Sequence, residues 1–346
     1  MTLHEIAEHF YARSQSARTS SHWEHLDQFG PQMFQDTVWL DNFLSRWVSV
    51  GFNDTTMKIL DRFSKKKQAP LGQIELNQEC VIFDIQKSQS IVQILQVQFP
   101  QANFKPFLGC LLGAPILPVQ LDGGGHKVQS SFHELSLLYM GMRLAALTQA
   151  ANLPDKLRIL EIGAGYGGLF EKLMRLMGQQ VDVVYLVDLP FNLAIQYWFV
   201  DACRKAGLHD LDLIVNPSPG KKFSHAVVFV PVDDLEVIGE LDVAINARSF
   251  GEMLPEDVRR YIDLIQNRMK PGGLFYNMNR YEKENSAGDK LRLKEYPYDS
   301  NWLLLNTQLV FFFYGIGELA LLRSSESNPL LYKSLSALPP YTLGYR

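Results

Sequence analysis

The chain has 346 residues, 47% of them apolar and 20% charged, which is the composition of an ordinary globular protein. The formal net charge is −4 and the pI is about 6.1, so nothing predicts a general affinity for nucleic acid or an anionic membrane surface. The amino terminus, MTLHEIAEHF, lacks the apolar core of a signal peptide. The most apolar run, LVFFFYGIG, is too short to span a bilayer and predicts a buried strand.

The cysteine spacing indicates the redox environment in which the protein folds. The cysteines are far apart, with no C-x-x-C pair, and are Cys80, Cys110 and Cys203. This spacing favours buried free thiols in a reducing environment. We therefore expect a cytoplasmic protein without a membrane span.

Residues 1–125 contain no chemical motif, and we predict a mainly helical region that serves as a substrate cap or an oligomerisation surface. Within them, ECVIFDI (79–85) predicts a strand and QSIVQILQVQF (89–99) predicts a helix. The three glycines of DGGGHKVQSSFHE predict a loop. Ser131 and Glu134 match a capping box, so a helix is predicted from about Phe132 to Gln149.

Strand and helix patterns alternate further along the chain. Five strands are predicted, within LRILEI, VDVVYLVD, AVVFVPV, LDVAIN and PGGLFYNMN. A helix follows the first of them, and prolines open two others at Pro190 and Pro255. This alternation predicts an α/β fold over residues 126–346, a doubly wound and mostly parallel sheet with helices on both faces.

The stretch LEIGAGYGGL (160–169) follows the first of these strands. Ligands of such sheets bind beyond the carboxyl ends of the strands, where glycine lets the backbone come close to them. Gly163, Gly165 and Gly168 match the dinucleotide pattern G-x-G-x-x-G, and Asp188 follows at the distance of a ribose-binding acid. This match is typical of an NAD(P)-dependent oxidoreductase.

The same stretch matches a second pattern. Glu161, Gly163, Gly165 and Gly167 form E-x-G-x-G-x-G, which resembles class I methyltransferases that use S-adenosylmethionine. An acid at the strand end suits a cationic amino group held through a hydrogen-bonded network, whereas a pyrophosphate would gain nothing from it. The long segment before the motif and the MKPGGLF turn before the fifth strand also favour this interpretation.

Four segments taken together resemble one particular family of methyltransferases. EIGAGYGGL, YLVDLPFNLAIQYWF, INARSFGEM and NMNRYEK, within about residues 125–300, resemble the sugar O-methyltransferase family of bacterial surface-polysaccharide clusters. The resemblance implies a Rossmann-like class I methyltransferase fold, S-adenosyl-L-methionine as cofactor, and methylation of a sugar or related hydroxylated small molecule. We expect no nucleic-acid partner and leave a homo-oligomer open. The alternatives are an oxidoreductase and a non-catalytic relative that keeps the cofactor fold.

The predicted cofactor residues lie at strand ends. Asp188 is expected to bind the ribose hydroxyls, or else to cap the helix at Pro190. An acid after the third strand is expected near the adenine amine, unless that loop is simply solvated. The full set is Glu161, Gly163, Ala164, Gly165, Gly167, Asp188, Leu189, Asp233, Asp234 and Asn246.

A hydroxyl acceptor needs a base that takes its proton during methyl transfer. Glu252 follows the fourth strand and is one candidate. The helix from Phe132 leads into the first strand, so its start should lie beside the cofactor end of the sheet. His126 and His133 are therefore the other candidates, although each alone suits a surface or capping position.

The remaining site residues follow the fourth and fifth strands. We predict that Arg248, Asn279 and Arg280 bind the acceptor, and the arginines suit a phosphate or carboxylate unless they only form salt bridges. His225 begins its strand at the opposite end of the sheet and is excluded. No cluster of acids and histidines has ligand spacing, so no metal is predicted.

Overall fold

The computed structural model describes residues 1–13, 30–35, 78–103, 105–108, 117–121, 126–130, 132–284, 288–310, 312 and 315–336. The largest element in these ranges is an eight-stranded sheet. Its strands are β3 (Leu157–Ile162), β4 (Val181–Asp188), β5 (Asp212–Ile214), β6 (Ala226–Pro231), β7 (Leu241–Ala247), β8 (Met269–Arg280), β11 (Trp302–Leu309) and β12 (Ile316–Arg323). They lie side by side in the order β11-β12-β8-β7-β3-β4-β6-β5. The first six are parallel, and β12 is antiparallel to both of its neighbours.

The order of the strands reverses beside β3. The chain runs outward from β3 to β4 and β6, then returns to place β7 on the other side of β3. The connections that follow β3 and β7 therefore leave on opposite faces of the sheet, and the crevice outside such strand ends is where open α/β sheets bind ligands. The glycine-rich stretch begins at that point, directly after Ile162.

Helices cover both faces of the sheet. One face packs against α1 (Leu3–Arg13), α2 (Gln78–Gln98), α3 (Phe132–Ala150), α4 (Gly168–Met177) and α5 (Pro190–Lys205). The other packs against α6 (Pro255–Arg268) and α7 (Leu331–Ser336). Neighbouring residues of one strand face opposite cores: Ile159 faces the first and Leu160 the second. The predicted doubly wound, mostly parallel α/β fold is confirmed.

Two small antiparallel ribbons complete the described structure. One is formed by β1 (Leu117–Leu121) and β2 (His126–Ser130), directly before α3. The other is formed by β9 (Glu282–Glu284) and β10 (Lys290–Arg292), directly after β8. Among the described residues, no helix combines the length and the apolar character needed to cross a bilayer.

The amino-terminal helix belongs to the same core as the sheet. Ile6, Ala7 and Phe10 are fully buried, and the Phe10 ring lies 6.3 Å from that of Phe229 on β6. Arg13 at the end of α1 pairs with Asp234 after β6. The described part of the amino-terminal region is therefore packed directly on the sheet, and a domain boundary at residue 125 stays a prediction.

Two strand predictions are wrong. ECVIFDI lies inside the α2 helix, because a short apolar run does not by itself distinguish a strand from a buried helical segment, and no glycine or proline separates it from the helical pattern that follows. LVFFFYGIG spans the connection between β11, which ends at Leu309, and β12, which starts at Ile316. Gly315, with φ of 66°, lies in that connection. The helix predicted at Phe132 is confirmed, while Ser131 of its capping box lies outside the described residues.

Candidate functional site

The glycine loop, residues 163–167, connects β3 to α4 in a conformation that requires glycine. Gly163, Gly165 and Gly167 have φ of 71°, 62° and 92°, in the left-handed region that side chains disfavour. A Cβ on Gly163 would also overlap the side chain of Ser249, which follows β7. The loop therefore lies against the end of β7, inside the crevice.

The amide groups of the three glycines are already used. Gly163 N–H donates to Val187 O at 2.9 Å, and Gly167 N–H donates to Ala164 O at 3.0 Å. Gly165 N–H donates to Asp188 Oδ2 at 3.1 Å. A loop that cradles a phosphate offers free N–H groups to it. These three donors are not available for that purpose.

Tyr166 anchors the loop from the other side. Its hydroxyl donates to Glu134 Oε1 of α3 at 2.8 Å, and Glu134 Oε2 pairs with Lys172 Nζ at 2.6 Å. Lys172 also pairs with Glu171 at 2.7 Å. All of these side chains are buried, so the loop is joined to α3 and α4 by a charged network shielded from water. The bulk of Tyr166 explains the next glycine, since a Cβ on Gly168 would overlap its ring.

Asp188, at the end of β4, accepts four hydrogen bonds from the protein. Leu189 N–H and Asn192 Nδ2 donate to Oδ1 at 2.9 and 2.7 Å. Gly165 N–H and Gln196 Nε2 donate to Oδ2 at 3.1 and 2.9 Å. Burial raises the pKa of Asp188 to about 6 against the opposing effect of these bonds. The carboxylate thus connects the glycine loop to α5, in addition to the ribose contact predicted for it.

Glu161 lies at the end of β3 with an unsatisfied carboxylate. The side chain is buried, and its Oε2 atom has no hydrogen-bond partner within the described structure. Burial, reinforced by the negative charge of Asp188, raises the pKa of Glu161 to about 8. A group in this state would be stabilised by a cation or a donor arriving from the crevice.

Two amide side chains beside Asp188 were not predicted. Asn192 and Gln196 of α5 are buried, and each donates to Asp188 through its nitrogen. Their oxygens, Asn192 Oδ1 and Gln196 Oε1, have no partner within the described structure. The sequence contains a signal for them, because Asn192 and Gln196 are four residues apart on one face of α5, among buried apolar residues, and follow the acid that ends β4.

The acids after β6 differ in their surroundings. Asp234 Oδ2 pairs with Arg13 Nε of α1 at 2.6 Å, and the Arg13 guanidinium also donates to Pro217 O at 3.3 Å. Asp233 lies near α6, where its charge contributes to raising the pKa of Tyr261, behind burial and the charges of Asp188 and Asp257. The predicted adenine contact of Asp233 and Asp234 stays a prediction.

Asn246 and Asn279 form a buried amide pair at the ends of β7 and β8. Asn279 Nδ2 donates to Asn246 Oδ1 at 2.7 Å, and Asn246 Nδ2 donates to Ile162 O at 3.0 Å and to Ser249 Oγ at 2.6 Å. Asn246 Oδ1 also accepts from Phe250 N–H at 3.2 Å. Both side chains are fully buried. Their bonds position the turn after β7 against the end of β3.

That turn carries Arg248 in a strained backbone conformation. Its φ is 69°, which costs a residue other than glycine on the order of 1–2 kcal/mol. The Arg248 N–H donates to Met278 O at 2.7 Å. Glu252 follows in a short 3₁₀ turn and pairs with Lys283 Nζ of β9 at 3.0 Å. Arg280 is exposed at the end of β8.

His133 lies beside the glycine loop at the start of α3. Its ring centroid is 5.7 Å from that of Tyr166, and its Nε2 atom is buried without a partner in the described structure. Burial, with smaller effects from Arg248 and Lys172, lowers the pKa of His133 to about 3. His126 is the first residue of β2, opposite Leu121, and its side chain is outside the described structure. His225 precedes β6 at the opposite end of the sheet, as expected.

The structure therefore brings most predicted residues to one crevice. Glu161, the glycine loop and Asp188 line one side, whereas Arg248 and Glu252 follow β7 on the other. Ala164 lies in the loop and Leu189 directly precedes α5. Besides the two amides of α5, Tyr166, Glu134 and Ser249 were missed, because their contacts join segments far apart in the sequence. Among the described residues no three histidine, cysteine or acidic side chains gather in a way that suits a metal ion.

Comparison with known proteins finds likeness only among solved structures. No family model matches the chain, and no curated protein matches it significantly. The mitomycin 7-O-methyltransferase MmcR is 15% identical with a TM-score of 0.38, and the match covers 55% of each chain. An S-adenosylmethionine-dependent methyltransferase from Clostridium acetobutylicum ATCC 824 is 11% identical with a TM-score of 0.38, over 53% of this chain and 90% of that one.

A third similar structure is an enzyme named for a different substrate. An rRNA methylase from Streptococcus thermophilus is 15% identical with a TM-score of 0.36, over 54% of this chain and 95% of that one. The chain thus spans about half the length of the mitomycin enzyme and most of the other two. Likeness at such TM-scores carries no argument about activity, so the functional inference depends on the residues of the crevice.

Proposed function

We propose that this chain is an S-adenosylmethionine-dependent O-methyltransferase that acts on a sugar or a related hydroxylated small molecule. The observation that carries the proposal is the buried Glu161 carboxylate, which lies beside the glycine loop and has an oxygen without a donor. The unpartnered oxygens of Asn192 and Gln196 add two more acceptors nearby. Such acceptors suit a ligand rich in N–H and O–H groups, such as the amino group and ribose hydroxyls of this cofactor.

The same groups disfavour the oxidoreductase. A pyrophosphate has only acceptor oxygens and needs several donors, whereas the three glycine amides of this loop are already bonded within the protein. A buried phosphate oxygen without donors is unfavourable. The pattern G-x-G-x-x-G is present, but its last glycine, Gly168, makes room for the Tyr166 ring.

The cofactor, when bound, would supply a methyl group on a cationic sulfur. The chain's own residues then have three tasks: to hold the cofactor at the glycine loop, to orient the acceptor hydroxyl, and to take its proton as the oxygen–carbon bond forms. Glu161 and the Asp188 network would perform the first. We propose that Arg248 and Arg280 orient the acceptor and that His133, Glu252 or His126 is the base.

Calorimetry with S-adenosylhomocysteine tests this proposal. We expect the wild type to bind it and Glu161→Gln to bind about 10-fold more weakly or worse, since a charge-assisted hydrogen bond is lost. Asp242→Asn is a matched control, because Asp242 is a buried acid at the start of β7, the opposite end of the sheet, where it pairs with Lys270. Stabilisation by NADH without binding of S-adenosylhomocysteine would contradict the proposal and favour the oxidoreductase.

Screening by mass spectrometry then tests the acceptor class. Nucleotide sugars and oligosaccharides are incubated with the protein and S-adenosylmethionine, and a gain of about 14 Da identifies a methylated product, as expected when a hydroxyl proton is replaced by a methyl group. Cofactor binding with no product from any hydroxylated compound would instead favour the non-catalytic alternative.

A further inference from the structure

The Asp188 carboxylate has no lone pair left for a ligand. An ionised carboxylate only accepts hydrogen bonds, and its two oxygens offer about four sites in all. Oδ1 accepts from Leu189 N–H at 2.9 Å and from Asn192 Nδ2 at 2.7 Å. Oδ2 accepts from Gly165 N–H at 3.1 Å and from Gln196 Nε2 at 2.9 Å. A ribose hydroxyl that bound this carboxylate would therefore have to displace a donor that the protein supplies.

The same hydrogen bonds fix the orientation of the two amide side chains. An amide that bonds to a carboxylate must present its nitrogen, because the carboxylate cannot donate. Gln196 Nε2 is fixed a second time, since it also donates to Gly165 O at 2.9 Å and a carbonyl oxygen only accepts. The other atoms, Asn192 Oδ1 and Gln196 Oε1, are therefore acceptors, and neither has a donor within the described structure.

Asn192 is the amide that lies nearer the end of β4. It is the third residue of α5, in the first turn of the helix, whereas Gln196 lies one turn further along. Asn192 keeps 4% of its surface exposed and Gln196 keeps 0%. Ligands of an open α/β sheet bind outside the carboxyl ends of its strands. A ligand at this strand end would therefore reach the Asn192 oxygen before that of Gln196.

The bond between Asn192 and Asp188 gives the free oxygen a fixed direction. At 2.7 Å it is the shortest of the four bonds to the carboxylate, and both side chains are buried. A buried acceptor without a donor is unfavourable, and a ligand that donates to it removes that cost on binding. The arrangement thus combines a saturated acid with a neutral acceptor that the acid orients.

We propose that Asn192 Oδ1 accepts a hydrogen bond from a ribose hydroxyl of the cofactor, and that Asp188 is a positioning residue that holds the Asn192 amide. A hydroxyl fits because it can donate to the amide oxygen, which an ionised phosphate or carboxylate cannot do. The assignment differs from the expectation from sequence, in which Asp188 itself binds the ribose. It depends on the proposed function, because the ribose belongs to the cofactor proposed there.

Analogues that lack one hydroxyl test the contact on the full chain. Calorimetry compares S-adenosylhomocysteine with its 2′-deoxy and 3′-deoxy analogues on the wild type. We expect removal of one of the two hydroxyls to weaken binding about 5-fold or more, because the buried Asn192 oxygen is again left without a donor. The analogue that loses affinity identifies the hydroxyl that Asn192 binds.

Variants distinguish a contact by Asn192 from a contact by Asp188. Asn192→Ala should bind that analogue and S-adenosylhomocysteine equally, within about 2-fold, because the acceptor is gone. If Asp188 were the contact, the same variant would free a lone pair on its Oδ1 atom, and the preference for S-adenosylhomocysteine would persist or increase. Asn192→Ser, whose hydroxyl can still donate towards Asp188, repeats the test if the alanine variant does not fold.

Gln196→Ala is the matched control. It removes the other amide that donates to the same carboxylate and frees a lone pair on Asp188 Oδ2. It should therefore disturb Asp188 to a similar extent and yet keep the preference for S-adenosylhomocysteine over the deoxy analogue. Thermal unfolding of each variant confirms that it is folded before its affinities are compared.

The outcomes separate this inference from the proposed function. Wild type that binds S-adenosylhomocysteine and both deoxy analogues equally overturns the contact alone. A preference that persists in Asn192→Ala returns the ribose to Asp188, and a preference lost only in Gln196→Ala transfers it to Gln196, so either result also overturns the assignment. Failure of the wild type to bind S-adenosylhomocysteine contradicts the proposed function itself.

Discussion

At the scale of single residues, the buried Glu161 carboxyl destabilises the ligand-free protein, and a ligand that pairs with this carboxyl would remove the destabilisation. The folded protein holds a proton on this carboxyl up to about pH 8, whereas the unfolded chain releases it near the ordinary value of 4.5. The folded state therefore binds more protons between these two values, and stability falls as the pH rises through that range. A cation beside Glu161 would lower its pKa and release the proton.

This linkage gives a pH dependence for cofactor binding. The affinity for S-adenosylhomocysteine should rise from pH 6 to about pH 8, by up to about 10-fold per pH unit, because binding releases a proton. Calorimetry in buffers of different ionisation enthalpy measures that release. Glu161→Gln should bind weakly, show a reduced pH dependence, and unfold at higher temperature than the wild type at pH 8. A wild-type affinity that is constant from pH 6 to pH 8 would refute the assignment.

The catalytic base is also a single-residue question. At least one of Glu252→Gln, His126→Asn and His133→Asn should lower turnover about 100-fold or more, with nearly unchanged cofactor affinity. His225→Asn is the control, since that exposed histidine lies at the far end of the sheet. His133 stays neutral above about pH 4, given its pKa of about 3, so its contribution should not titrate between pH 5 and pH 8. Wild-type rates in all three variants would mean that the base lies elsewhere.

At the scale of elements, the glycine loop and α5 are joined through Asp188. Asp188→Ala should weaken binding of S-adenosylhomocysteine by roughly 1–3 kcal/mol, since four buried donors lose their acceptor and the loop loses its attachment. The melting temperature should also fall. Asp201→Ala on the same helix removes a pair with Lys205 near the surface and should change stability by less than about 1 kcal/mol. Unchanged cofactor affinity in Asp188→Ala would contradict this role.

The conformation of the glycine loop leads to a second prediction at this scale. Gly165→Val should abolish detectable cofactor binding while the protein stays folded, because a β-branched residue is strongly disfavoured at φ of 62° and its side chain would fill the space of the ligand. Circular dichroism and calorimetry measure the two properties. Gly220→Val is the matched control: that exposed glycine has φ of 77° but lies away from the crevice. Normal binding by Gly165→Val would mean that the loop does not contact the cofactor.

At the scale of the whole molecule, α1 is part of the core that supports the crevice. Phe10→Ala should lower the free energy of unfolding by about 3–5 kcal/mol in a single cooperative transition, because a fully buried aromatic side chain is removed from the sheet. Glu8→Ala on the exposed side of the same helix should stay within about 0.5 kcal/mol. A separate low-temperature transition, with the main transition unmoved, would instead show that residues 1–125 form an independent unit.

The local pattern of apolar residues and prolines was sufficient to predict the strands and helices of the parallel part of the sheet. The strand at VDVVYLVD and the helix at Pro190 appear with the predicted starts, because buried parallel strands are continuous apolar runs and a proline at the first turn marks a helix start. Pattern failed for ECVIFDI and LVFFFYGIG, where apolar content was strong but the periodicity was not specific. The conformation of such an apolar run depends on the residues that pack around it, and these are known only from the tertiary structure.

The sequence by itself determined the position of the glycine loop, the acids Glu161 and Asp188 at the two strand ends, and the doubly wound sheet, since each depends on residue type and spacing along the chain. Only the tertiary structure decided which of these groups are already satisfied. Asp188 has four donors and Glu161 has an oxygen with none, although both are acids at the carboxyl ends of neighbouring strands. The difference arises because hydrogen bonds and charges are set by neighbours in space: α5, the residue before it and the glycine loop supply donors to Asp188, and no described element supplies one to that oxygen of Glu161.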